Sequence, residues 1–170
     1  MDERDVTACC FTGHGLIPEE IKASLRERLR NGVDYLYTHM SITTFYAGGA
    51  LGFDTLAAEA VINCRKERPD IRLIIVAPCK DQDKQWSIKD RIRYQLIKRA
   101  ADNVICLSEH YYRGCMHQRN RYLVDHSAAC ICYLTEAAGG TAYTVGYAKS
   151  KGLKIFNLAR PKEQTHEQKL

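Results

Sequence analysis

The stretch Thr43-Thr44-Phe45-Tyr46-Ala47-Gly48-Gly49-Ala50-Leu51-Gly52-Phe53-Asp54 decides the fold. Thr43–Ala47 is a short β-branched and aromatic run, which reads as a strand. Gly48, Gly49 and Gly52 then turn the chain. Asp54 reads as the cap of a helix running to about Arg68, with Leu56, Ala57, Ala60 and Val61 at its apolar positions. Pro69-Asp70 stops that helix, and the β-branched run Ile71–Ala77 follows as the next strand. Strand, glycine turn, helix and strand make one βαβ unit, which sets its two strands parallel.

The alternation continues outward in both directions. Upstream, Val6–Thr12 reads as a strand ending at Gly13-His14-Gly15. Pro18, Glu19 and Glu20 suit a helix N-terminus, and Ile21, Leu25, Leu29, Val33 and Leu36 recur at helical spacing to about His39. Downstream, Lys80–Lys89 is a polar loop and a helix follows to about Ala101. Asn103–Leu107, Ala129–Leu134 and Leu153–Asn157 read as strands, with helical patterns over Met116–His126 and Thr141–Lys151 between them. The reading is α/β: a three-layer, Rossmann-like single domain over residues 1–159 with a mostly parallel sheet, and a polar tail over 160–170.

Composition agrees with one soluble domain. The 170 residues are 45% hydrophobic and 26% charged, which excludes a disordered tail, a collagen-like repeat and a coiled coil. A net charge of +5 favours anionic partners only mildly, and it gives little support to a third reading, nucleic-acid binding, which usually needs clustered Lys and Arg. No apolar leader follows Met1–Asp5 and no apolar run approaches a membrane span, so a cytoplasmic protein without a membrane partner is expected. The eight cysteines are then thiols. They contain no CxxC pair, and no metal is expected. Cys9, Cys10, Cys106, Cys130 and Cys132 fall in strands expected to be buried, Cys64 falls on a helix, and Cys79 and Cys115 lie beside loops that would face a ligand.

In such folds ligands sit beyond the carboxyl ends of the strands. Three post-strand loops are glycine-rich, and they supply the candidate binding residues Gly13, His14, Gly48, Gly49, Gly52, Gly139, Gly140 and Thr141. Glycine admits a close ligand, and a following helix offers free N–H groups to phosphate. The plain alternative is three tight turns. None of the loops matches the dinucleotide fingerprint or the P-loop. Arg119 and Arg121 flank Asn120 on a helix, so they point different ways, and one reads as a contact to a carboxylate or phosphate. Trp86 reads either as a lid on the core or as a platform for a base. His14 reads as a phosphate donor or proton carrier, or as a turn residue facing solvent. Asp54 reads first as a cap, and Glu59 faces either the pocket rim or solvent.

Four segments together resemble the YpsA-like branch of the SLOG superfamily. They are Gly48–Asp54 with Ala57-Ala58-Glu59 behind it, Pro78-x-x-x-Gln82-x-x-x-Trp86, the block Gly114–Ser127, and Gly139-Gly140-Thr141-Ala142-Tyr143-Thr144-Val145. The resemblance runs from about Cys10 to Ile155. It implies a Rossmann-like fold and a sensor or regulator that binds a nucleotide or nucleotide-derived ligand and requires no cofactor. Phosphates would lie on the glycine loops, Arg119 would neutralise them, and Trp86 or Phe53 would pack on the base. A protein partner and a homodimer are further expectations of the resemblance.

SLOG also contains DNA-processing protein A and the LOG phosphoribohydrolases. Met116-His117-Gln118-Arg119 matches the first motif of those hydrolases, so Arg119 inherits the position of their catalytic arginine. The chain then departs from the pattern. Asn120 stands where they have lysine, Ala138 replaces a proline, and no acid follows Gly140 until Glu163. Hydrolysis of the N-glycosidic bond of nucleoside 5′-monophosphates is therefore the alternative reading. Arg119 and Glu59 are its candidate catalytic residues, Asp54 is a second candidate carboxylate, and turnover is left open.

Overall fold

Six short strands alternate with five helices in the computed structural model, which describes residues 5–160. In chain order they are β1 (Ala8–Gly13), α1 (Lys22–Met40), β2 (Thr44–Ala47), α2 (Phe53–Cys64), β3 (Arg72–Ala77), α3 (Ile88–Ala100), β4 (Asn103–Cys106), α4 (Cys115–Asp125), β5 (Ala129–Tyr133), α5 (Gly140–Ser150) and β6 (Lys154–Asn157). The sheet order is β4-β3-β2-β1-β5-β6, and every neighbouring pair is parallel. The expected mostly parallel sheet is thus wholly parallel. The tail expected over 160–170 lies, beyond Arg160, outside the described residues.

Helices cover both faces, so the central strands are mostly apolar. Successive residues of β1 point to opposite faces. Cys9 and Phe11 join Leu25, Leu29, Val33 and Leu36 of α1 and the apolar side of α2 in one core. Cys10 joins Cys130, Cys132, Leu123, Val124, Val145 and Ala148 in the other, under α4 and α5. The layers are therefore α1-α2-α3, sheet, and α4-α5.

Several local readings are corrected. A 3-10 turn at Glu19–Ile21 follows Pro18, and α1 begins only at Lys22. Asp54 is not the cap of α2: Gly52 takes the N-cap at φ 83°, a conformation suited to glycine, and Asp54 sits buried in the first turn. That helix ends at Cys64, short of Arg68. Strand β4 lies on the edge of the sheet, where Val104 is 40% exposed, so Cys106 faces solvent instead of the core. Among the described residues no helix is long and apolar enough to cross a membrane.

Candidate functional site

From β1 the chain steps outward through β2, β3 and β4, then returns to place β5 on the other side of β1. The strand order therefore reverses between β1 and β5, the position where doubly wound folds open a crevice. The loops after β1 and β5 flank it. His14 bridges them: its Nε2 accepts the Thr135 N–H at 3.0 Å, and its ring meets Tyr133 edge-on at 5.9 Å. His14 thus ties the two loops together and is not a turn residue that only faces solvent.

The three glycine loops do different jobs. A Cβ on Gly13 would run into the Phe53 ring. One on Gly48 would run into the Arg119 guanidinium and meet Asp54 Oδ2 at 2.8 Å. One on Gly49, at φ 71°, would meet Tyr94 at 2.7 Å, and one on Gly52 would meet the His14 carbonyl at 2.7 Å. These glycines let the protein pack on itself. Phe53 is fully buried, stacked on Tyr133 at 6.2 Å, so it cannot pack on a base. Gly114, Gly139 and Gly140 are the opposite case, since a Cβ on any of them meets nothing within 4 Å.

Beneath the β2 loop lies a buried polar cluster. Arg119, only 3% exposed, donates from Nη1 to the Gly48 carbonyl at 2.6 Å and from Nε to Asn120 Oδ1 at 2.9 Å. Gln82 Nε2 donates toward the same carbonyl at 3.5 Å and is 3.1 Å from the Tyr94 hydroxyl, while Gln82 Oε1 is buried without a partner among the described residues. Burial pushes the Asp54 carboxyl up from 3.8 to about 6, against the opposing pull of Arg119 and the Ala50 N–H. The same burial pushes the Arg119 guanidinium down, with Asp54 opposing. Arg119 and Asp54 are brought together; Glu59 is not among them. It lies on the outer side of α2, where Arg93 Nε donates to it at 2.9 Å.

At the crevice, α4 and α5 start side by side. Gly114 and Gly139 are their N-caps, at φ 96° and 104°, and neither helix has a side-chain cap or an acid in its first turn. His117 on α4 and Tyr143 on α5 fasten the two turns, with ring centroids 4.6 Å apart. Arg121 donates to the Tyr143 hydroxyl at 3.3 Å, so Arg119 and Arg121 do diverge. Thr141 is buried in the first turn of α5, and Thr144 Oγ1 donates to the Gly140 carbonyl at 2.9 Å. Trp86 packs on Tyr94 at 5.3 Å and lines a cavity of about 230 Å³ with Gly15, Lys22, Leu51 and Gly52.

Cys79 and Cys115 sit near the ligand loops, as expected, but both are buried. Among the described residues no three His, Cys, Asp or Glu side chains gather as metal ligands would. Tyr94, His117 and Tyr143 are the site residues that sequence reasoning did not single out for a binding role. Tyr143 had a signal in its place three residues after Gly140 at a helix start.

Comparison with known proteins follows the same lines. The profile of the YspA SLOG family, YpsA, matches residues 10–159. The SPbeta prophage-derived protein YoqJ of Bacillus subtilis (strain 168) is 31% identical over 137 residues, covering 74% of this chain and 80% of that protein. The UPF0398 protein YpsA of the same organism is 27% identical over 106 residues, covering 61% of this chain and 59% of that protein. Among solved structures, DNA processing protein A from Helicobacter pylori, described for its single-stranded DNA binding mode, matches with a TM-score of 0.63 at 20% identity over 95% of this chain and 71% of that one. The same protein from Streptococcus pneumoniae matches with a TM-score of 0.66 at 16% identity over 95% of this chain and 56% of that one. At such identities the likeness is one of fold. With nearly its whole length matched by the family profile, the chain belongs to the YpsA SLOG family.

Proposed function

We propose that the chain binds a nucleotide or nucleotide-derived ligand at the carboxyl edge of the sheet and acts as a sensor or regulator. The observation that carries this reading is the pair of adjacent helix starts without a side-chain cap at the β1–β5 switch point. Each helix N-terminus carries about half a positive charge and free N–H groups, which suit a phosphate. The open space at Gly114, Gly139 and Gly140 lets an anion approach that backbone. Arg121 supplies the nearby surface cation, and Arg119 holds the β2 loop in place from inside. The exposed Tyr143 ring or the cavity beside Trp86 offers a face for the base.

Calorimetry with nucleoside monophosphates, ADP-ribose and NAD tests the reading, together with mass spectrometry of small molecules released on denaturation. Saturable binding supports it, and silence across the set overturns it. Single-stranded DNA is the ligand named for the Helicobacter neighbour. An oligonucleotide that binds with steep salt dependence where mononucleotides do not would transfer the reading to nucleic acid.

One observation favours a second, hydrolytic reading. Asp54 lies beside Arg119 with its carboxyl near 6, in the range useful for acid–base work. Asp54, not Glu59, is then the carboxylate of that reading. Release of ribose 5-phosphate from nucleoside 5′-monophosphates, abolished in Asp54→Asn, is its test.

A further inference from the structure

The helix layer opposite α4 and α5 carries a groove that the ligand site does not use. Helix α2 has 12 residues and buries nine of them, so it lies sunk between α1 and α3. The resulting groove has a volume of about 740 Å³. Leu56, Ala60 and Ile97 line its floor, and Ala23 and Leu96 line its walls.

Helix α3 is apolar on two sides. Tyr94 and Ile97 face the core. Ile88, Ile92 and Leu96, four residues apart, form an outward ridge at 77, 56 and 58% exposure. Residues at this spacing share a helix face, and the ridge runs about 12 Å along the helix. Leu96 belongs to both ridge and groove.

Charge selects the occupant. Arg26 and Arg30, one turn apart on α1, line the opposite wall, and neither forms an ion pair among the described residues. Arg93 is committed to Glu59, and Glu27 is the one other acid in the lining. Lys89 and Arg99 add positive charge to the exposed side of α3, where Arg91 is paired with Asp83 at 3.6 Å. A second copy of this chain would set these cations against themselves across a two-fold contact. A nucleic acid would leave the isoleucine ridge in water.

We propose that this groove docks an acidic amphipathic helix of a partner protein. Its apolar face would cover Leu96, Ile92 and the groove floor, and its carboxylates would meet Arg26 and Arg30. Leu56 and Arg93 are shared with the cavity beside Trp86, but Leu96, Arg26 and Arg30 do not line that cavity, so the proposal does not rest on the nucleotide reading.

The test uses the full chain and a fluorescein-labelled synthetic peptide of about four helical turns, with leucines on one face and glutamates flanking them. A second peptide carries lysines in place of the glutamates. Fluorescence anisotropy should show saturable binding of the glutamate peptide alone. Leu96→Glu, and separately the double variant Arg26→Glu/Arg30→Glu, should each weaken it about tenfold or more. Thermal unfolding of these exposed-site variants confirms that they fold, and nucleotide calorimetry should be unchanged in both. Absence of binding, equal binding of the two peptides, or indifference to both variants overturns the proposal. So does a dimer, seen by sedimentation, that Leu96→Glu dissociates, or displacement of the peptide by an oligothymidylate.

Discussion

His14 Nε2 accepts the Thr135 N–H at 3.0 Å, joining the loops on the two sides of the switch point. As an acceptor at Nε2, the ring carries its proton on Nδ1. Its edge rests on Tyr133, which stacks on Phe53 at the start of α2. One imidazole therefore holds three elements at the carboxyl edge. His14→Ala removes the acceptor and should cost about 1–3 kcal/mol in urea unfolding. Nucleotide affinity should fall with it, because the β5 loop leading to Gly139 loses its anchor.

The glycines should divide into two classes. Gly48→Ala forces a methyl against Arg119 and Asp54, and overpacking of this kind costs about 1–3 kcal/mol. Gly140→Ala enters open space at an ordinary helical position, and it should gain up to about 1 kcal/mol by restricting the unfolded chain. Denaturant midpoints of the two variants should move in opposite directions.

Asp54 makes stability depend on pH. Its carboxyl titrates near 6 in the folded chain, against 3.8 when free. Between those values the unfolded chain has released a proton that the native state keeps, so this contribution is present below 3.8 and is lost as pH rises through 6. Asp54→Asn has no such dependence. Its stability relative to the native sequence should rise by roughly 3 kcal/mol between pH 3.8 and 6 and stay level above, as read by urea unfolding across that range.

Thiol reactivity should isolate one cysteine. Seven of the eight are buried, and burial pushes Cys79 up to about 11 and Cys132 to about 12. Cys106, on the exposed edge strand, is the exception. An aromatic disulfide reagent should titrate one thiol quickly in the native protein, and Cys106→Ser should remove that phase. Fast titration of several thiols would contradict the buried assignment.

The fold was legible because its cause is periodic. Runs such as Ile71–Ala77 have no polar alternation, as strands covered on both faces require, and the helices between them repeat leucine or valine at helical spacing. What was not legible depends on neighbours. Nothing in the run Asn103–Leu107 tells that it forms the sheet edge, so Cys106 reads as core from the sequence. Asp54 follows a glycine turn as a cap would, but Gly52 already occupies that place. The glycine loops read alike in sequence. Only their surroundings separate Gly48, filled by Arg119, from Gly139 and Gly140, which are open. Arg119 reads from sequence as a phosphate contact, and in the structure its buried guanidinium donates to the Gly48 carbonyl.

The central claim is that the open start of α5 takes the anionic part of a nucleotide, and Gly140→Asp tests it most directly. The added carboxylate has room, and an acid in the first turn favours the helix, so the variant should fold with equal or greater stability. Titration calorimetry on both proteins, with the nucleotide that binds best to the native sequence, should show affinity reduced about tenfold or more in the variant. Equal affinity in the two proteins would contradict the account.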